Sequence, residues 1–281
     1  MITINEISEL RSRVEAWRRG GNVAFVPTMG NLHAGHISLV QEAREIADRV
    51  VVSIFVNPMQ FGEGEDFDSY PRTLETDSRM LEAVGTDLLF APPVQVMYPK
   101  PAPEQTRVEV PGLSGLLCGA CRPGHFVGVA TVVCKLFNMV QPDIALFGNK
   151  DFQQLMVIRR MVEDLAMPVK IVGVETVRES DGLAMSSRNG YLTPEERATA
   201  PVLYRVLRGM AEKLRDGNDD YAGLEAQAAR ELYENGFRTD YVAIRRAADL
   251  LEPAPGEAEL VILGAANLGN ARLIDNIEVA R

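Results

Sequence analysis

Apolar positions recur along this chain in two rhythms, one of helical period and one of short, nearly unbroken runs. Over residues 5–18, Ile7, Leu10, Val14 and Trp17 share one side at helical spacing, which predicts an amphipathic helix. The apolar run Val23–Val26 stops at Pro27, a helical pattern covers Gly35–Ala47, and a second apolar run covers Arg49–Val56. Together they predict a βαβ unit. Its second strand, Val50-Val-Val-Ser-Ile-Phe-Val, is apolar enough to be covered on both faces. The alternation continues with a helix over Thr73–Val84, a strand over Asp87–Ala91 and a strand over Thr106–Val110. An apolar helix over Val127–Val140, a strand over Asp143–Phe147, a helix over Phe152–Leu165 and a strand over Val169–Val174 follow. Between them, Pro92–Pro103 holds five prolines and reads as a surface excursion. Strands alternating with helices predict an α/β class with a parallel sheet.

After Val177 the rhythm changes. Glu179–Gly190 is polar, two charged helices are expected over Pro194–Arg215 and Tyr221–Asn235, and strands over Asp240–Ile244, Glu259–Ala266 and Ala271–Ile277. That order predicts two domains, residues 1–177 and a smaller α+β domain over 178–281.

Composition narrows the function classes. The 281 residues are 46% hydrophobic and 24% charged, as in a soluble globular protein. A net charge of -10 argues against nucleic acid as a partner, since a phosphate backbone needs a basic face. The apolar runs are too short to span a membrane, and Met1-Ile-Thr-Ile-Asn-Glu lacks the basic and apolar regions of a signal peptide. Three cysteines, an odd count, suggest reduced thiols. Cys118 and Cys121 have C-x-x-C spacing, with neither a further zinc ligand set nor the strand-to-helix setting of a redox motif.

The candidate chemistry gathers at strand-to-helix turns, where open α/β sheets bind ligands. His33-Ala-Gly-His36 puts two imidazoles on one side of a helix start, the end that attracts anions. The alternative is a structural pair, but Gly35 and the preceding Gly30 allow close approach of a ligand. At Gly148-Asn149-Lys150-Asp151, Lys150 can face phosphates. In Met185-Ser186-Ser187-Arg188, two hydroxyls and a guanidinium suit phosphate oxygens, unless the stretch is a plain linker. Asn57 and Gln60 follow the second strand; Gln154 opens a helix; Asp77 is a candidate Mg²⁺ ligand; Arg122 and His125 form a small cationic cluster that could close over phosphates.

Six blocks in order carry a resemblance. They are Pro27-Thr-Met-Gly-x-Leu-His-x-Gly-His, Val56-Asn-Pro-x-Gln-Phe, Tyr70-Pro-Arg-Thr, Arg122-x-x-His-Phe-x-Gly-Val, Phe147-Gly-x-Lys-Asp-x-Gln-Gln-Leu and Met185-Ser-Ser-Arg-Asn. The chain resembles the pantoate–β-alanine ligase family of the H-x-G-H nucleotidyltransferases. The resemblance implies a Rossmann-like N-terminal domain with a C-terminal lid, and ATP-dependent condensation of pantoate with β-alanine through a pantoyl-adenylate. By position it implies an ATP site of Met29, Gly30, His33, Gly35, His36, Gly148, Asn149, Lys150, Asp151, Val177, Met185, Ser186, Ser187 and Arg188. It makes His36 the proton donor, His33 and Lys150 phosphate contacts, and Gln60 and Gln154 the grip on pantoate. Asn57, Arg122 and His125 join the substrate residues, and Asp77 assists Mg²⁺. A cytoplasmic homodimer is also implied. The alternatives are another H-x-G-H nucleotidyltransferase and an inactive nucleotide-binding module.

Overall fold

The computed structural model describes residues 1–101 and 104–281, so Ala102 and Pro103 of the expected excursion lie outside the described residues. The chain divides into two compact units. One takes Met1–Gly115, Arg122–Asn149 and Gln154–Glu175; the other takes Leu116–Cys121, Lys150–Gln153 and Thr176–Arg281.

The first unit is built on a six-stranded parallel sheet. Its strands are β1 (Ile2–Ile4), β2 (Val23–Thr28), β3 (Arg49–Ile54), β4 (Leu88–Phe90), β5 (Ile144–Gly148) and β6 (Lys170–Val174), in the order β1-β4-β3-β2-β5-β6. Helices α1 (Ile7–Arg18), α2 (Ala34–Ile46), α3 (Leu74–Ala83), α4 (Val94–Met97) and, beyond α5 (Cys118–Cys121), α6 (His125–Val140) and α7 (Phe152–Asp164) connect the strands. Ala24, Val26, Val50, Val52, Leu89 and Leu146 of the strands meet Leu39, Val40 and Ala43 of α2 and Leu81 of α3 in one core. Each fully buried Val or Leu contributes about 1.5–3 kcal/mol. α6 is apolar nearly all round and correspondingly buried.

The strand order places a crevice. From β2 the chain passes through α2 to β3 on one side, and from β5 through α7 to β6 on the other. Ligands of such sheets gather outside the carboxyl ends of the strands where the direction reverses, here between β2 and β5. Pro27 helps to open that crevice. It has no N–H to give a ladder, and β2 pairs with β5 only at Ala24 and Phe25, before it. The ladder to β3 continues past it to Thr28, so β2 is longer than the apolar run that ended at Pro27.

The second unit has a three-stranded antiparallel sheet, β7 (Arg238–Arg246), β8 (Glu259–Leu268) and β9 (Ala271–Ala280), in sequence order. Helices α8 (Pro194–Thr199), α9 (Val202–Arg215) and α10 (Tyr221–Glu234) precede it. Leu203, Leu207 and Met210 of α9 and Leu224 and Leu232 of α10 pack with Ile244, Leu260 and Ile262 of the sheet.

Four expectations need correction. Residues 106–110 form no strand, and Val108 N–H is instead taken by Thr131 Oγ1 at 2.9 Å. Val94–Met97 is a helical turn inside the expected excursion. The expected helix over 194–215 is two helices, because Pro201 lacks the N–H that would carry one through. β1, three residues long, was not expected at all; it pairs with β4 at the sheet edge.

Candidate active site

The H-x-G-H stretch lies just past β2. Thr28 Oγ1 donates to Ser53 O at 2.8 Å and accepts Gly30 N–H at 3.2 Å. Gly30 (φ +85°) and Asn31 (φ +50°) then turn the chain through two left-handed residues, a conformation that glycine and asparagine tolerate best. His33 is the N-cap of α2. Its Nδ1 accepts Gly35 N–H at 3.1 Å, while His36 Nδ1 accepts His33 N–H at 3.3 Å, and the ring centres are 4.1 Å apart. A reciprocal cap of this form usually joins a hydroxyl to a carboxylate. Here both members are imidazoles. A ring nitrogen that accepts carries no proton, so each neutral ring holds its proton on Nε2. The turn therefore presents two neutral N–H donors at the positive end of α2.

Asp77, on the first turn of α3, is 1% exposed. Its carboxylate accepts Asn31 N–H and Leu32 N–H, both at 2.9 Å, and the Thr73 hydroxyl at 3.1 Å. Magnesium prefers near-octahedral oxygen ligation, with one or two carboxylates beside water and phosphate. Asp77 fits that task poorly, because ligation would compete with the two backbone N–H groups and the hydroxyl that its carboxylate already accepts. Among the described residues, no three His, Cys, Asp or Glu side chains are grouped to hold a metal. Cys118 lies buried with its Sγ 2.9 Å from Tyr241 Oη.

Past β3, Asn57 caps the 3-10 turn Pro58–Gln60. It was expected among the substrate contacts, and its side chain makes four hydrogen bonds within the protein. Its Nδ2 donates to Gln60 Oε1 (3.0 Å) and Gly128 O (3.1 Å), and its Oδ1 accepts the Tyr98 hydroxyl (2.8 Å) and Met59 N–H (3.3 Å). Burial keeps the Tyr98 phenol far above its ordinary pKa, so it stays a donor. Gly128 lets α6 lie against this turn, since a Cβ there would stand 2.2 Å from Met59 O. Gln60, 8% exposed, also donates to Met29 Sδ at 3.0 Å.

Arg122 and His125 were expected to bring positive charge to the ligand. Arg122 is paired through Nε and Nη2 with the Glu65 carboxylate, and Nη1 donates to His125 Nε2 at 3.1 Å. His125 Nδ1–H donates to Gln60 O at 2.8 Å, and Arg122 Nη2 to the same carbonyl at 3.4 Å. A guanidinium only donates and a carbonyl only accepts, so the His125 proton sits on Nδ1. The cluster is charge-compensated and grips the backbone of Gln60. Nothing in the sequence near Arg122 points to Glu65.

The remaining candidates follow β5 and Glu175. Gly148 ends β5, and Asn149–Asp151 form a 3-10 turn before α7. Lys150 and Asp151, in the second unit, are half-buried, and Lys150 O accepts Asn276 Nδ2–H at 2.9 Å. Of the two glutamines that open α7, Gln153 is buried, accepting Cys118 N–H at 3.1 Å and donating to Leu116 O at 2.8 Å. Gln154 is half-buried. Also in the second unit, Val177 O accepts Met185 N–H at 3.0 Å, and Ser186 Oγ accepts Arg188 N–H at 3.2 Å. Arg178 anchors this loop through Asp275, with bonds of 2.6 and 2.9 Å. Met185, Ser186, Ser187 and Arg188 are all half-buried.

The family model described as Pantoate-beta-alanine ligase matches residues 2–278. The chain is 58% identical to the pantothenate synthetase of Shewanella sp. (strain MR-7), with 100% of both chains covered. It is 60% identical to that of Shewanella halifaxensis, with 98% of each covered. Among solved structures, the pantothenate synthetase of Thermus thermophilus is similar with a TM-score of 0.93 at 51% identity, covering 100% of both chains. The Francisella tularensis pantoate-beta-alanine ligase, complexed with beta-gamma ATP and beta-alanine, gives 0.83 at 34% identity, covering 99% of this chain and 97% of that one.

Proposed function

We infer the working of the site from one premise: the chain belongs to the pantoate-beta-alanine ligase family. It is an ATP-dependent ligase that joins pantoate to β-alanine through an amide bond. A carboxylate cannot be attacked directly by an amine at useful rates, because its oxygen is a poor leaving group. Activation by ATP removes that obstacle. The pantoate carboxylate attacks the α-phosphorus and pyrophosphate leaves, giving pantoyl-adenylate. The β-alanine amine then attacks the acyl carbon, AMP leaves, and pantothenate is formed.

In this reading His33 and His36 donate Nε2–H bonds to phosphate oxygens whose charge rises as the carboxylate adds. Their reciprocal cap is the single observation that carries the assignment. It fixes both rings as donors before ATP arrives, so little reorganisation accompanies the reaction. His36 thus acts by donating a hydrogen bond. The backbone of Met29, Gly30 and Gly35 and the end of β5 at Gly148 and Asn149 line the nucleotide. Gln60, oriented by Asn57 and Met29, and Gln154 hold pantoate, with Gln60 also meeting β-alanine. Arg122 and His125 support Gln60 from behind.

ATP-binding roles are also proposed for Lys150, Asp151, Val177 and Met185–Arg188, in which Lys150 and Arg188 would answer phosphate charge. Their assignment rests on the family resemblance and on their charge. Mg²⁺ belongs to the same reading and would supply positive charge against the ATP phosphates, while Asp77 is engaged by Asn31, Leu32 and Thr73. A homodimer and a cytoplasmic site of action belong to the same reading; light scattering at twice the chain mass would support the dimer.

The test is a product analysis. With pantoate, β-alanine and ATP together, AMP and pantothenate should appear in equal amounts, and pantoate with ATP alone should yield enzyme-bound pantoyl-adenylate. A nucleotidyltransferase of another kind would release pyrophosphate without AMP.

A further inference from the structure

Four backbone N–H groups precede or begin α2, those of Asn31, Leu32, His33 and Gly35, and each is taken by a side chain. The two histidines account for His33 and Gly35. Asp77, 46 residues further along the chain than Asn31, accounts for the other two. We propose that Asp77 is a positioning residue for catalysis: its carboxylate holds the left-handed turn at Gly30 and Asn31, and so sets where His33 and His36 point.

Three further observations support this. A Cβ on Gly30 would stand 3.1 Å from Asp77 Oδ2 and 3.1 Å from Ile54 Cγ2, so the carboxylate and the turn are in direct packing contact. Thr73 is the N-cap residue of α3 but makes no side-chain cap; its hydroxyl is directed at Asp77 instead. Finally, a buried carboxylate beneath a phosphate-binding turn would oppose ATP unless its charge were absorbed. Two amides and a hydroxyl absorb it. The geometry assigns Asp77 to the turn and denies it to the metal.

The proposal rests on the ATP-site reading, and its test separates the two. Asp77→Asn and Thr73→Val would be compared with the unaltered chain in kcat, KM for ATP, the Mg²⁺ concentration giving half-maximal rate, and hydrogen exchange at the Asn31 and Leu32 amides. Asp77→Asn should lower kcat by about 10²-fold, the scale of a small misplacement of catalytic groups, with KM for ATP changed far less. Exchange at both amides should quicken, and the half-saturating Mg²⁺ concentration should not move. Thr73→Val keeps the carboxylate and folds more readily; it should show smaller changes of the same sign. Asp77→Glu should not restore the rate, since the longer side chain cannot present both oxygens to the same two amides. A rise in the half-saturating Mg²⁺ concentration, with kcat restored by excess Mg²⁺, would overturn the proposal. So would unaltered amide exchange in both Asp77→Asn and Thr73→Val. Amide exchange reports on the turn even if the unaltered chain makes no AMP, an outcome that would instead remove the ligase reading.

Discussion

Two helix starts in the first unit carry histidine, and they use it in opposite ways. At α2, His33 and His36 turn Nδ1 toward backbone N–H groups and keep the proton on Nε2. At α6, His125 turns Nδ1–H toward the carbonyl of Gln60 and accepts Arg122 on Nε2. The same residue type, at the same favourable end of a helix dipole, turns Nδ1 to backbone donors in one place and to a backbone carbonyl in the other. The difference is set by the group that meets Nδ1. An N–H there pushes the proton to the outer nitrogen; a carbonyl draws it inward. A helix N-terminus is therefore not sufficient evidence of an anion site, even with histidine on it.

The contrast can be broken most severely at His36. His36→Ala removes a donor to developing phosphate charge, and adenylate formation should fall by about 10²–10³-fold, read as pantoate-dependent pyrophosphate release. Loss of the cap to His33 N–H should lower stability by about 1 kcal/mol, so the variant should remain folded by circular dichroism. A variant that turns over normally would remove His36 from the chemistry.

A milder break is Arg122→Ala. It takes the ion-pair partner from Glu65 and leaves the Gln60 carbonyl to His125 alone, but removes no donor aimed at phosphate. KM for pantoate should rise by about tenfold, the scale of one lost hydrogen bond, while KM for ATP stays near its original value. A larger effect on ATP than on pantoate would restore Arg122 to the phosphates.

The smallest effect concerns pH. Burial pushes the Glu65 carboxyl up, but the hydrogen bond and charge of Arg122 outweigh it and leave the pKa below the ordinary 4.5. A depressed folded-state value means that the pair stabilises the fold above the unfolded value. That stability is lost as pH falls through the folded value. Thermal melts of Glu65→Gln and the unaltered chain should therefore differ by at most about 1 kcal/mol at neutral pH, since the pair is partly solvated. The difference should close below pH 4.5. A gap that widens in acid would contradict the assigned ion pair.

What the sequence displays of this molecule is what lies close together in it. The βαβ rhythm from Val23 to Ile54 is legible because each element is a run of neighbours. The histidine pair is legible for the same reason, since a spacing of three on a helix start is a contact. Length limits the rest: Ile2–Ile4 is too short to show a period, and a charged helical pattern ran across Pro201 unchecked. Partners distant in the chain are not legible at all. Glu65 lies 57 residues from Arg122, and without it the arginine reads as a free cation. Asp77 reads as a candidate metal ligand, and its bonds to Asn31 and Leu32 leave no trace in the sequence. Asn57 reads as a loop amide until Tyr98 and Gly128 close around it.

The chain contains 3 histidines, which makes one measurement decisive for the account of the rings. Nitrogen-15 spectra of the imidazole side chains, recorded near neutral pH, distinguish a protonated ring nitrogen from a bare one at each position. Two rings, His33 and His36, should carry their proton on Nε2 with a bare Nδ1, and the third, His125, should show the reverse. Finding either His33 or His36 protonated on Nδ1, as the other tautomer or as imidazolium, would contradict the claim that the reciprocal cap prepares two neutral donors for ATP.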